Sequence, residues 1–142
     1  MINQLNIVVL IPCYNEEATI AQVVSAFKRA MPTALIYVYD NASTDKTSEV
    51  ARQAGAVVRN EPKKGKGNVV RRMFADIDAD IYVIVDGDDT YEASKCPKMV
   101  QQLIENNLDM VVATRKAIDN EEAYRWGHVF GNWMLTRSVS FI

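Results

Sequence analysis

Five short runs of nearly uninterrupted apolar residues recur along the chain: NIVVLI (6–11), LIYVY (35–39), AVV (56–58), IYVIV (81–85) and MVVA (110–113). Runs of this kind, bounded by polar turns, predict strands buried on both faces, as in a parallel sheet lying between helices. Between the runs the period changes. Ile20, Val23, Val24, Phe27 and Met31 recur at helical spacing, as do Val69, Val70, Met73, Phe74 and Ile77, and later Met99, Val100, Leu103 and Ile104. The alternation reads βαβαβαβαβα, an α/β fold with a doubly wound, mostly parallel sheet and helices on both faces. Pro32 after the first helix, Gly55 after the second and Pro97 in the first turn of a later one punctuate the pattern where stops and starts are expected.

The polar segments that follow the strands are PCYNEE, DNASTDKT, NEPKKGKGN, DGDDTYE and TRKAIDN. Open parallel sheets bind ligands at the carboxyl ends of their strands, so these loops outline one site.

Composition narrows the class. A chain of 142 residues is expected to be one domain, 1–142, long enough to bury a core. Sixteen basic against eighteen acidic residues, net charge -2, argue against nucleic-acid binding through a basic surface. Cys13 and Cys96 form no CxxC pair and no His/Cys cluster, which points to a reduced compartment and away from zinc or a disulfide framework. MINQLNIVVLIP lacks the basic start and cleavage site of a signal peptide, and no apolar run is long enough to span a bilayer. The chain is expected to be soluble and cytoplasmic. Near its end, Trp126, Val129, Phe130 and Trp133 form an apolar stripe at helical spacing, with Asp119 and Asn120 as caps, so 119–142 is expected to be an amphipathic helical segment. Most such stripes are core; an exposed one would pair with a second copy or lie against the cytoplasmic face of a membrane.

Chemistry concentrates in the loops. Asp86 and Asp88 stand two apart after IYVIV, so an extended backbone would point both carboxylates the same way, with Asp89 facing oppositely. Like charges that close repel by about 1–4 kcal/mol, depending on the local dielectric, unless they share a cation. Gly87 between them would let a ligand approach the backbone. Oxygen ligands of this sort suit Mg²⁺ or Mn²⁺ held by one or two carboxylates together with substrate phosphates; a solvated acidic turn is the alternative. Asp40 ends the second strand, where acidic residues of dinucleotide folds accept hydrogen bonds from a ribose or base. Its alternative is a helix cap, the structural role expected of Asp45. Lys63, Lys64 and Lys66 surround Gly65 and Gly67 just before a helix, and cations at a helix N-terminus favour phosphate. Neither GxxxxGK[ST] nor GxGxxG is present, so a mobile basic loop is the other reading. Arg71, Arg72 and Arg115 add further cations. Cys13, with no neighbouring His, reads as a packed thiol and His128 as structural.

Together, IPCYNEE after strand one, YDNASTDKT after strand two, KGKGNVVRRMF before the third helix and IVDGDDTY after strand four resemble glycosyltransferase family 2, over about Ile7 to Arg115. The resemblance implies the GT-A fold, a nucleotide-sugar donor and a divalent metal, Mg²⁺ or Mn²⁺. By position it assigns Pro12, Tyr14, Asn15 and Glu16 to the loop around the nucleoside and Asp40 to the nucleobase. It assigns Asp86 and Asp88 to the catalytic, metal-binding pair at the donor diphosphate. Lys63, Lys66, Gly67 and Arg115 are expected on the substrate phosphates. The KGKG loop and DGDDTY look most like dolichyl- or polyprenyl-phosphate sugar transferases of envelope glycan synthesis, which implies a lipid-phosphate or glycan acceptor and a UDP- or GDP-sugar donor. The family continues beyond the strand ending in ATR, whereas this chain stops at Ile142, so it is expected to be C-terminally short. No base that would deprotonate a hydroxyl acceptor is identifiable, which suits an acceptor phosphate that is already ionised. Two alternatives stand beside this reading: a non-catalytic donor-binding module that self-associates, and a DxDxT phosphatase with Asp86 as phosphoryl acceptor and Asp88 as acid/base.

Overall fold

The computed structural model describes residues 5–113. Four strands, β1 (Ile7–Cys13), β2 (Leu35–Asp40), β3 (Val57–Asn60) and β4 (Ile81–Ile84), alternate with helices α1 (Ile20–Ala30), α2 (Thr47–Gln53), α3 (Lys66–Asp76) and α4 (Cys96–Glu105). A single 3₁₀ turn, Ala93–Lys95, leads into α4, which carries Pro97 in its first turn. All pairings are parallel, and the strand order is β3-β2-β1-β4. Of the described residues, 5–111 belong to one compact unit.

The continuous apolar run of β1 has a direct cause: all seven of its residues are buried, because both faces of this central strand are covered. Side chains alternate across a strand. Ile7, Val9, Ile11 and Cys13 therefore pack with Ile36 and Val38 of β2 against Val23, Val24 and Phe27 of α1, Ala51 of α2 and Val100 of α4. Val8 and Leu10 pack on the opposite face with Tyr39 against Val69, Met73 and Ile77, from α3 and the residue after it. Each fully buried aliphatic side chain here contributes about 1.5–3 kcal/mol relative to an exposed one. The stripe of α3 is narrower than its sequence suggests. Phe74 is exposed and meets Tyr82 of β4 edge-on, ring centroids 5.1 Å apart.

Two expectations need correction. The third strand is shifted along the chain, to Val57–Asn60 in place of 56–58, and is mostly exposed because it is the edge of the sheet. MVVA (110–113) forms no strand: these residues make no ladder, and Met110 and Val112 are exposed. A strand acquires its conformation from a partner, and this segment pairs with none of the four. Arg115 and the amphipathic segment 119–142 lie outside the described residues, among which no helix is long and apolar enough to cross a membrane.

This order fixes the position of the site. From β1 the chain moves outward through α1 to β2 and α2 to β3, then returns through α3 over the other face to place β4 on the far side of β1. The loops after β1 and β4 therefore emerge side by side, where open parallel sheets bind ligands.

Candidate functional site

The loops after β1 and β2 are laced together by short polar side chains. Asn15 sits in the left-handed region (φ 51°), which Asn tolerates. Its Oδ1 accepts from the Thr44 N–H at 2.8 Å, and its own N–H donates to Ser43 Oγ at 2.9 Å. The Glu16 N–H donates to the hydroxyl of buried Thr47 at 2.8 Å, and Thr47 donates to Asp45. Asp45 also accepts from the Glu17 N–H, while Glu17 Oε2 accepts from the Lys46 N–H at 2.8 Å. Asp40 is committed nearby: Oδ1 accepts from the Ser43 N–H at 2.9 Å and Oδ2 from Ser48 Oγ at 2.5 Å.

The lysine loop hangs from Asn41, a residue that the sequence reading passed over. Buried at the carboxyl end of β2, Asn41 donates from Nδ2 to the carbonyls of Glu61 and Lys63, both at 2.9 Å. Its Oδ1 accepts from the Gly65 N–H at 2.8 Å. Those three bonds use one side-chain amide to close the turn. Gly65 then enters α3 with φ 120°, a conformation that favours glycine. Lys66 is the first residue of the helix, and Lys64 Nζ lies 5.8 Å from the centroid of the Tyr14 ring.

The β4 ladder ends at Ile84, the Val85 N–H still donates to the Leu10 carbonyl at 3.1 Å, and the chain turns at Gly87 and Asp88. Asp86 is ion-paired with Lys66 Nζ, which reaches it from the lysine loop. Asp88 Oδ1 accepts from Thr90 Oγ1 at 2.7 Å, and Asp89 adopts φ 59°. The Gly87 carbonyl accepts from Thr19 Oγ1 at 2.6 Å, which ties the turn to the start of α1. A Cβ at position 87 would fall 2.3 Å from Glu16 Oε2 and 2.6 Å from Cys13 Sγ. Glycine is thus required by Glu16 and Cys13 of the first loop, and what approaches this backbone is the protein's own carboxylate.

The three rims enclose a cavity of about 550 Å³ lined by Pro12, Cys13, Tyr14, Glu16, Asn41, Lys64, Gly65, Lys66, Val69, Asp86 and Asp88. Of the residues singled out from the sequence, Pro12, Tyr14, Glu16, Lys66, Asp86 and Asp88 line it. Asn15, Asp40, Lys63 and Gly67 do not. Asn15 and Asp40 instead hold the loops, Lys63 takes part through its backbone, and Gly67 faces open space in the first turn of α3.

Charge is unevenly distributed in the cavity. Burial raises Glu16 above the ordinary carboxylate range; the neighbouring Cys13 thiol opposes this, and the charges of Asp88 and Asp86 add to it. Glu16 Oε2 is buried without a hydrogen-bond partner. Cys13 is driven far above the ordinary thiol range by burial first, then by Glu16, Asp40 and Asp86. It stays a protonated, packed thiol and is no nucleophile. Among the described residues, no group of three or more His, Cys, Asp and Glu side chains is placed to hold an ion by protein ligands alone. The donor set that is present, two carboxylates on one turn beside an unpartnered carboxylate oxygen and facing two lysines, fits a divalent cation that completes its coordination with water and substrate phosphate.

A parallel sheet with this strand order and a mixed-charge cavity at the ends of β1 and β4 defines an α/β domain of the nucleotide-diphospho-sugar transferase type. The family model for glycosyl transferase family 2 matches residues 8–139, and the chain belongs to that family. Protein RfbJ of Shigella flexneri is 59% identical over 128 residues, which cover 90% of this chain and 99% of that protein. The dolichyl-phosphate hexose transferase of Haloferax volcanii is 31% identical over 137 residues, covering 96% of this chain and 59% of that one. Among solved structures, glucosyl-3-phosphoglycerate synthase from Mycobacterium tuberculosis in complex with Mn²⁺, UDP-glucose and phosphoglyceric acid matches with a TM-score of 0.63 at 29% identity. That match covers 71% of this chain and 40% of that one. The chain thus spans RfbJ almost end to end but three fifths or less of the other two.

Proposed function

We propose that the cavity binds a nucleoside-diphosphate sugar together with Mg²⁺ or Mn²⁺, and that the chain transfers the sugar to a phosphate-bearing acceptor, with a polyprenyl or dolichyl phosphate as the preferred class. The observation that carries this reading is the lining: Asp86 and Asp88 share one cavity with Lys64 and Lys66, and Lys66 Nζ is ion-paired with Asp86. A diphosphate needs both signs, cations for its own charge and carboxylates that would hold the divalent ion accompanying it. The Mn²⁺ and UDP-glucose in the synthase structure, and the acceptor class in the name of the Haloferax transferase, support the donor and acceptor halves of the proposal respectively.

In this mechanism Tyr14 and Glu16 border the nucleoside, and Lys64 and Lys66 hold phosphate oxygens. Asp86 and Asp88 would hold the cation, which when bound neutralises charge on the departing diphosphate. An oxygen of the acceptor phosphate attacks the anomeric carbon while the bond from that carbon to the diphosphate breaks, its electron pair leaving on the diphosphate oxygen. The attacking group is ionised at neutral pH, so no residue has to remove a proton. Isothermal titration with UDP- and GDP-sugars, with and without Mn²⁺, tests the donor half. Binding of one of them that depends on Mn²⁺ is expected, and the absence of metal-dependent binding to either overturns the reading. Transfer to a short-chain polyprenyl phosphate in preference to a hydroxyl acceptor tests the other half.

A further inference from the structure

Asp86 and Asp88 are two residues apart, yet the structure treats them differently. Asp88 is exposed and engaged by the neutral donors of Thr90, whereas Asp86 receives the full charge of Lys66 from the opposite rim of the cavity. The pairing is asymmetric in exposure as well: the Lys66 side chain is 63% exposed and that of Asp86 24%. Lys66 therefore reaches from the more open rim to the less exposed carboxylate. The backbone just before Lys66 is anchored, because the Gly65 N–H is bonded to Asn41 Oδ1.

We infer that Lys66 acts in the ligand-free protein as a stand-in cation on Asp86, which it surrenders to the divalent ion when the donor diphosphate arrives, so that metal and nucleotide binding are coupled through this one lysine. The inference rests on the donor reading given above. Its physical basis is an exchange of partners. Without nucleotide, an incoming divalent cation must expel an ammonium group from Asp86, and the expelled group gains only water. With a diphosphate in the cavity the same ammonium gains a charge-assisted hydrogen bond to phosphate, and the exchange becomes favourable. An exposed ion pair is weak enough to be displaced in this way. The coupling is reciprocal: whatever factor the nucleotide adds to metal affinity, the metal adds to nucleotide affinity. A site built so stays closed to free metal until its substrate is present.

The test is Mn²⁺ binding followed by the electron paramagnetic resonance signal of the free ion, without nucleotide and with UDP or GDP, for the wild type, Lys66→Gln, Lys64→Gln, Asp86→Asn and the Lys66→Gln/Asp86→Asn pair. In the absence of nucleotide, Lys66→Gln is expected to bind Mn²⁺ roughly threefold to tenfold more tightly than wild type, because both the competing pair and the nearby positive charge are gone. Lys64→Gln, which removes a charge from the same rim but no ion pair, is expected to change it by less than about twofold. The effect of Lys66→Gln should shrink to about that of Lys64→Gln when Asp86 is already Asn, and the increase in Mn²⁺ affinity on adding nucleotide should be smaller in Lys66→Gln than in wild type. Equal effects of the two lysine variants, or no change in Lys66→Gln, overturn the inference and leave the donor site standing. A wild type that binds no Mn²⁺ even with nucleotide overturns both.

Discussion

On the β1–β2 side of the cavity, Asn15, Ser43, Thr44, Asp45 and Thr47 hold the loops together by hydrogen bonds between short side chains and backbone amides. On the β3–β4 side, the lysine loop and the acidic turn meet through a long, exposed lysine and a carboxylate. Short polar side chains have few rotamers to lose, so the first side is fixed cheaply and stays as built. A lysine gives up roughly 2 kcal/mol of rotamer entropy when held, so the second side yields readily to a better partner. The site thus joins a half tied by short side chains to a half joined by one long, exposed ion pair.

The comparison breaks most severely at Asp88. Asp88→Asn is expected to lower Mn²⁺-dependent affinity for UDP or GDP by about a hundredfold while the melting temperature holds, as calorimetry would show. Gly87→Ala attacks the seam between the halves, because its Cβ meets Glu16 and Cys13; a loss of about 1–3 kcal/mol in urea denaturation is expected. Asn41→Ala and Thr47→Val set the two sides against each other. Each should cost about 1–2 kcal/mol of stability by leaving buried backbone groups without partners. Only Asn41→Ala, which frees the lysine loop, should reduce the preference for UDP or GDP over the bare nucleoside.

Glu16 gives a pH signature. Its folded-state pKa is raised by burial, so between the ordinary glutamate range and that raised value the folded state holds a proton that the unfolded chain has lost. This contribution is fully present below the ordinary range and is lost as pH rises through the folded value. Glu16→Gln should therefore be stabilised relative to wild type near neutrality, with the difference shrinking in acid; melting curves across pH 4 to 8 would read it. The smallest effect is expected at Asp89. At φ 59° Asn is as comfortable as Asp, and Asp89 does not line the cavity, so Asp89→Asn should stay within about 0.5 kcal/mol of wild type and keep its nucleotide affinity.

The central strands and the helices were legible because burial on two faces writes an unbroken apolar run, and burial on one writes a helical stripe. The edge was not. Val57 and Val58 belong to a strand only through Tyr37 and Val38 of β2 beside them, and MVVA looks the same in sequence but finds no such neighbour among the described residues. The cavity was legible as a set of loops gathered at strand ends, and the family resemblance assigned roles to their residues. What spacing could not reveal was the division of labour. Asp40 and Asn41 adjoin each other in one turn-forming stretch, and either could cap, staple or bind. The structure shows Asp40 bonded within its own loop and Asn41 reaching across to the next. The contact of Glu16 with Gly87 joins residues far apart in the chain, so no local pattern records it. A glycine inside an acidic turn, facing a glutamate after the first strand, is the one signal that could have suggested it.

The most direct test of the claim that this cavity is the metal and nucleotide site is paramagnetic broadening of backbone amide signals by Mn²⁺ in the isotope-labelled protein, with UDP or GDP present. Broadening is expected to centre on Asp86–Thr90 and extend to Glu16 and Lys64–Lys66, with the distant end of α4 unaffected. Broadening centred elsewhere on the chain, or none at saturating nucleotide, would contradict it.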